Sequence, residues 1–171
     1  MQIKILSITS KKNTLFDDLF FQYKKRLPGH INLDHIKIPM VKRSKTKPVK
    51  AAVLEEGEAL LKHVNINDLL IVLDEKGKQL SSIRFSIWMD DWLLNGQNPV
   101  FAIGGPDGFS QAIKDRASTI LSLSIMTLPH AMVPVLMAEQ IYRSWTILEG
   151  QPYHRNGHLN TSDAADDHSR V

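Results

Sequence analysis

The chain has 171 residues, of which 43% are hydrophobic and 23% charged, proportions that are ordinary for one soluble globular domain. It contains no cysteine, which excludes disulfides, cysteine-based zinc sites and thiol catalysis. The formal net charge is +3, and because residues 156–171 carry three aspartates and one arginine, the preceding part of the chain is the more basic one. A basic body is compatible with a nucleic-acid partner.

The N-terminus, MQIKILSITS, lacks a signal-peptide cleavage pattern and predicts a first strand. No apolar run reaches the length of a transmembrane helix. A chain without cysteine also suits a reducing compartment. We therefore expect a cytoplasmic protein.

Strand and helix patterns alternate along the first part of the chain. QIKILSI predicts a strand, TLFDDLFFQYKKRL a helix, INLDHIKIP a second strand and AAVLEEGEALLKHV a second helix. Before the second helix lies the loop VKRSKTKPVK, which bears the cations Lys42, Arg43, Lys45, Lys47 and Lys50. This basic loop is either a solvated connection or a segment that contacts RNA phosphates.

The alternation continues to residue 150. DLLIVLD is a continuous apolar run, typical of a strand covered on both faces, and EKGK predicts a turn after it. The next segment, SSIRFSIWMDDWLLNGQ, predicts a helix that begins at a serine and ends at Asn-Gly. After it come a buried strand (PVFAI) and a short helix (SQAIKDRA). The last two elements are an irregular strand (TILSLSIMTL) and a final helix (VPVLMAEQIYRSWTILEG). The order predicts one α/β domain over residues 1–155 with a mostly parallel sheet flanked by helices. Residues 156–171 are polar and aperiodic, and we expect them to be poorly ordered.

The segment GGPDG follows the buried strand PVFAI directly. It lacks the GK[ST] ending of a Walker A loop and does not match GxGxxG. It is therefore either a tight turn or a ligand loop, since open α/β sheets bind ligands at the carboxyl ends of their strands. IVLD, FAIGG and LSLSIMTLPH could all end at one edge and form one pocket, whose small and apolar character suits an adenine-like ring better than a triphosphate.

The final helix carries an apolar stripe that is broad enough for two roles. It comprises Val135, Ala138, Tyr142 and Trp145, widened by Met137, Ile141 and Leu148. Such a helix is either buried in its own core or shared with a partner subunit. The histidines lack HExxH spacing, and the pair His154 and His158 is interrupted by Gly157, so we expect no metal site.

Three motifs in order, FAIGGPDGFS, LSLSIMTLPHAMVPVLMAEQIYRSW and PYHR, closely resemble the bacterial ribosomal RNA large-subunit methyltransferase H family, which belongs to the SPOUT class. The resemblance covers about residues 1–155 and is strongest in the C-terminal half. It implies a homodimer with a C-terminal trefoil knot. It also implies S-adenosylmethionine as methyl donor and methylation at N3 of a pseudouridine in the 23S rRNA of the large ribosomal subunit.

The same resemblance implies site residues. The cofactor-binding positions would be Leu73, Gly104, Gly105, Leu123, Ser124, Ile125, Met126, Thr127 and Leu128. Tyr153, His154 and Arg155 would complete the site of the neighbouring subunit. Because N3 must lose a proton, His130 and His154 are candidate bases, and Arg155 is a candidate for stabilising the developing anion.

Two features depart from the family pattern. Pro134 stands where family members carry an arginine in the first turn of the last helix, and the chain continues past Arg155. Two other functions remain open: a non-catalytic RNA-binding module that retains the fold, favoured weakly by Pro134, and a nucleotide-dependent α/β enzyme. The retained PYHR motif argues against the first, and the missing Walker lysine against the second.

Overall fold

A computed structural model of the protein describes residues 1–11 and 13–155. Its strands are β1 (Gln2–Ile8), β2 (Asn32–Ile38), β3 (Leu69–Gln79), β4 (Pro99–Ile103) and β5 (Thr119–Ser122). Its α-helices are α1 (Thr14–Lys24), α2 (Val49–Leu61), α3 (Ser82–Leu94), α4 (Gln111–Arg116) and α5 (Val133–Leu148), with a short 3₁₀ helix over His130–Met132. Residues 156–171, for which we expect poor order, lie outside the described part.

The five strands form one parallel sheet in the order β2-β1-β4-β3-β5. Apolar side chains on one face pack with α1, α3 and α5, and those on the other face pack with α2 and α4. All five residues of β4 are buried, as its apolar sequence PVFAI predicts. The predicted α/β class and parallel sheet flanked by helices are confirmed, while the knot and the homodimer stay predictions.

Helix α3 begins and ends where the sequence predicts. The Ser81 hydroxyl accepts a hydrogen bond from the Arg84 backbone N–H at 3.2 Å, which satisfies a donor that the first turn leaves free. At the other end Gly96 has φ +62°, a left-handed conformation that glycine adopts without a steric penalty.

The predicted turn over Glu75–Lys78 is wrong, because these residues continue β3. The pairing of β3 with β5 is interrupted between Leu73 and Lys78 and then resumes, so that Leu121 of β5 is in register with both. Gly77 permits this return: a Cβ atom there would lie 2.5 Å from the backbone carbonyl carbon of Leu121. The polar composition of EKGK gave no sign of this second pairing, which depends on a partner more than 40 residues away.

Most of the apolar stripe of α5 is buried within the chain itself. Ala138, Met137 and Ile141 are fully covered, and the helix packs against α1 and α3. Pro134 lies in the first turn, where its missing N–H costs no intrahelical hydrogen bond. Burial in its own core therefore accounts for the central part of the stripe. Tyr142 and Trp145 are only half-buried.

Candidate functional site

A cavity of about 390 Å³ lies at the carboxyl ends of β3, β4 and β5. This volume is within the range of roughly 300–1,000 Å³ that is usual for small-molecule sites. Three segments surround the cavity, as the sequence predicts. They are Leu73–Glu75, Ile103–Phe109 and Ser122–Leu128, of which only Asp107 and Ile125 do not line it. Val133 at the start of α5 completes the lining. The structure thus brings eight of the nine predicted cofactor-binding residues together, whereas Ile125 is 84% exposed and does not line the cavity.

The three glycines of the segment GGPDG differ in what their positions require. The Gly108 N–H donates to the Gly105 carbonyl at 3.0 Å, which closes a turn, and Gly108 has φ +71°. A Cβ on Gly104 would lie 3.0 Å from the Phe109 ring and 3.2 Å from the Gly108 backbone. The packing of the loop upon itself therefore favours glycine at position 104, whereas a Cβ on Gly105 would make only ordinary contacts, with Ile8 and Glu56.

Two carboxylates lie in the cavity wall just after Leu73. Lys114 donates to Asp74 at 2.9 Å, and this bond, assisted by the Lys76 backbone N–H, lowers the pKa of the Asp74 carboxyl. Glu75 is exposed at the rim. Among the described residues that line the cavity there is no lysine or arginine. Because Lys114 compensates the Asp74 charge, Glu75 at the rim and the absence of a cation among these lining residues make the cavity poorly suited to a polyphosphate.

The segment after β5 forms the opposite wall. The Ser122 hydroxyl donates to the Ser124 carbonyl at 3.0 Å, and the Ser124 hydroxyl accepts from the Met126 N–H at 2.9 Å. These bonds fix an irregular backbone whose Leu123 and Leu128 side chains give the wall its apolar character.

His130 is fixed beside the cavity by the backbone of the glycine loop. Its Nε2 is 2.9 Å from the carbonyl oxygen of Gly104. Because a carbonyl only accepts, Nε2 carries the proton, and Nδ1 is the ring nitrogen with a lone pair in the neutral form. If His130 acts as a base, it does so through Nδ1.

Tyr153 and His154 lie against the middle of α5 and do not line the cavity of their own chain. The Tyr153 hydroxyl donates to Glu139 at 3.2 Å, its ring stacks edge-on with Tyr142, and Arg143 lies 4.9 Å from its ring centroid. Burial, a hydrogen bond with Tyr23 and the Glu139 charge raise the pKa of Tyr153. This phenol therefore keeps its proton at neutral pH and is not a base.

His154 and Arg155 continue from Tyr153. The Arg143 guanidinium donates to Nδ1 of His154 at 3.3 Å, so this nitrogen is unprotonated in the structure. Arg155 is exposed and is the last described residue. The structure does not bring these two residues to the cavity of the same chain, which is the arrangement expected if they serve another subunit.

The basic loop is partly fixed by acids of the same chain. Arg43 pairs with Glu56 and Asp107, and Lys47 pairs with Glu55. Lys42, Lys45 and Lys50 are exposed. In residues 1–11 and 13–155 no group of three or more metal-ligating side chains is close enough to hold a metal ion, and no helix is long and apolar enough to cross a bilayer.

Sequence reasoning missed several residues of the site. Asp74, Glu75 and Phe109 line the cavity. Asp74 ends the predicted strand DLLIVLD, Glu75 follows it and Phe109 follows GGPDG, so their position at the carboxyl edge of the sheet could have identified them. The ion pair between Arg43 and Asp107 had no sequence signal, because 64 residues separate its partners.

Comparison with known proteins gives consistent matches. Residues 1–154 match the family model described as "Predicted SPOUT methyltransferase". The chain is 42% identical over 155 residues to the ribosomal RNA large subunit methyltransferase H of Francisella tularensis subsp. novicida, a match that covers 91% of this chain and 100% of that protein. It is 40% identical to the protein of the same name from Hahella chejuensis, with 91% and 99% covered.

Proposed function

Since the chain belongs to the SPOUT methyltransferase family and is a methyltransferase, we propose that it transfers a methyl group from S-adenosylmethionine to N3 of a pseudouridine in 23S rRNA. Its relatives are named for the RNA of the large ribosomal subunit, so the substrate is that RNA, free or within the subunit or ribosome. This substrate implies a cytoplasmic location.

The cavity is the observation that carries the proposal. S-adenosylmethionine bears a sulfonium, an ammonium and a carboxylate group. The wall offers Glu75 and the Lys114-paired Asp74, with no lysine or arginine among its described residues, which fits the two cationic groups. Gly104 and Gly105 line the cavity, where the ligand would contact them, and Leu123 and Leu128 would pack on the adenine ring. When bound, the cofactor supplies an electrophilic methyl group. The nucleotide-dependent alternative is disfavoured by the same charges, because phosphates need cationic or N–H-rich walls.

The acceptor base needs three things from the protein: orientation, loss of the N3 proton and stabilisation of the resulting charge. We assign these roles to a composite site in a homodimer. Tyr153 of one protomer, which keeps its proton, stacks on the base, and Arg155 stabilises the anion. Nδ1 of His130 accepts the proton, or His154 does so after its Nδ1 leaves Arg143. The exposed Lys42, Lys45 and Lys50 contact RNA phosphates.

Methyl transfer tests the proposal. The protein is incubated with methyl-labelled S-adenosylmethionine and, in parallel, with free 23S rRNA, large subunits or assembled ribosomes from a strain lacking the modification. Mass spectrometry of the digested RNA should reveal N3-methylated pseudouridine in at least one substrate. Methylation of another atom would refute the assigned position. A protein that binds RNA and S-adenosylmethionine but incorporates no methyl into any substrate would favour the non-catalytic RNA-binding module.

A further inference from the structure

Arg43, in the loop between β2 and α2, contacts three other residues through its guanidinium group. Nε donates a hydrogen bond to Asp107 at 3.0 Å, and one terminal nitrogen forms an ion pair with the same carboxylate oxygen at 2.9 Å. The two terminal nitrogens donate to the two carboxylate oxygens of Glu56 at 2.5 and 3.1 Å. The terminal nitrogen that is 2.5 Å from Glu56 also donates to the Val41 carbonyl at 2.5 Å. One planar group thus joins three separate parts of the chain.

Glu56 is the fixed end of this arrangement. It is 2% exposed on α2, a helix packed on the sheet, and it also accepts the Val41 N–H at 2.8 Å. A carboxylate this buried requires a cation with good geometry, so Arg43 is held in one orientation.

Asp107 is the other end, and it belongs to the cavity loop. It occupies the third position of the turn Gly105–Gly108. Gly105, Pro106 and Gly108 line the cavity, and Asp107 does not. The turn therefore presents its backbone to the cavity while Asp107 joins its outer side to Arg43.

We propose that Arg43 is a positioning residue for the cofactor: through Asp107 it holds the Gly104–Phe109 loop in the shape that receives S-adenosylmethionine. The proposal rests on the proposed function. A loop with three glycines has many conformations, and any freedom it keeps before binding is lost on binding and weakens affinity. The Arg43 tether removes that freedom in advance. Lysine cannot replace it, since an ammonium group lacks the planar fork that grips two carboxylates at once.

Asp107→Ala is the informative variant, because it releases the loop while leaving the buried Arg43–Glu56 pair intact. The Asp107 side chain is 35% exposed, so the fold should tolerate its loss. Asp17→Ala is the matched control: Asp17 is 42% exposed, accepts two hydrogen bonds from Lys37 and does not line the cavity. Both variants and the wild type are titrated calorimetrically with S-adenosylmethionine alone.

We expect Asp107→Ala to bind S-adenosylmethionine about tenfold more weakly, and Asp17→Ala to bind it as the wild type does. In methyl transfer the KM for S-adenosylmethionine should rise by a similar factor while kcat changes less than about twofold, because the tether contributes to the bound loop and not to the reacting atoms. Asp107→Asn, which keeps one acceptor oxygen, should fall between the two. Arg43→Lys should weaken binding at least as much, and combining it with Asp107→Ala should add little, since both remove one tether.

Wild-type affinity in Asp107→Ala would overturn the inference, as would an equal loss in Asp17→Ala. A fall in kcat without a change in KM would also overturn it. Failure of the wild-type protein itself to bind S-adenosylmethionine would overturn the proposed function, and is thereby distinguished from failure of the tether alone.

Discussion

At the scale of single residues, close packing explains the glycine segment better than ligand contact alone. A side chain at Gly104 would meet the Phe109 ring and the Gly108 backbone before it met any ligand. Gly108 has a left-handed φ that favours glycine. At Gly105, by contrast, a Cβ would make only ordinary van der Waals contacts. The sequence could indicate that this segment is special, but separating these reasons required the position of Phe109.

Replacing Gly104 by valine should abolish S-adenosylmethionine binding. The added carbons force Phe109 and the turn to move, which displaces the cavity wall and costs about 1–3 kcal/mol of stability. Calorimetric titration measures the binding, and urea unfolding measures the stability. Gly29→Ala is the control, because a Cβ there has no atom within 4 Å. Wild-type affinity in Gly104→Val would contradict the prediction.

Arg155→Ala should reduce methyl transfer and spare cofactor binding. Losing one charge-assisted contact to the ionising base costs about 2–4 kcal/mol, or roughly a 30- to 1,000-fold lower rate. Because Arg155 is assigned to the acceptor base and not to the cofactor, the dissociation constant for S-adenosylmethionine should stay unchanged. Arg155→Lys keeps the charge without the planar fork and should recover part of the rate. Unaltered turnover in the alanine variant would exclude Arg155 from the reaction.

At the scale of elements, the local sequence pattern predicted most of the strands. It failed where pairing between distant segments determines how far a strand extends. β1 and β4 are as the sequence predicts, because alternation and buried apolar runs are local signals. The second half of β3 was predicted as a turn, since EKGK is polar and contains glycine. Its pairing with Leu121 and Ser122 depends on how two distant segments meet. For the same reason the cavity could be predicted from strand ends, whereas the Arg43–Asp107 pair could not.

Gly77→Ala should destabilise the protein strongly. A Cβ would lie 2.5 Å from the Leu121 carbonyl carbon and 2.8 Å from the Ile120 backbone, and backbone atoms cannot move aside as a flexible side chain can. We expect a loss of about 3 kcal/mol or more in urea unfolding. Since Leu121 is followed by the cavity wall that begins at Ser122, S-adenosylmethionine binding should weaken as well. A loss below about 0.5 kcal/mol would show that the second pairing is not close in solution.

At the scale of the whole molecule, one protomer holds the cavity but does not bring Tyr153 or His154 to it. Both are bound to α5 by Glu139 and Arg143. A homodimer would supply the missing groups from a second copy, which explains why the cavity of a single chain lacks them. The central claim is therefore that the active site is composite, with a cofactor cavity from one subunit and Tyr153–Arg155 from the other.

Co-expression of Gly104→Val with Arg155→Ala tests this claim most directly. The two variants carry different affinity tags, mixed dimers are isolated by sequential purification, and methylation of ribosomal substrate is measured beside each parent variant. A mixed dimer pairs the intact cavity of one subunit with the intact Arg155 of the other, which restores one site of two. Purified mixed dimers should therefore have about half of wild-type activity. In the mixture before tag selection, random assembly makes about half of the dimers mixed, so its activity should be about a quarter of wild type. Activity no higher than that of the parents, in confirmed mixed dimers, would contradict the composite site.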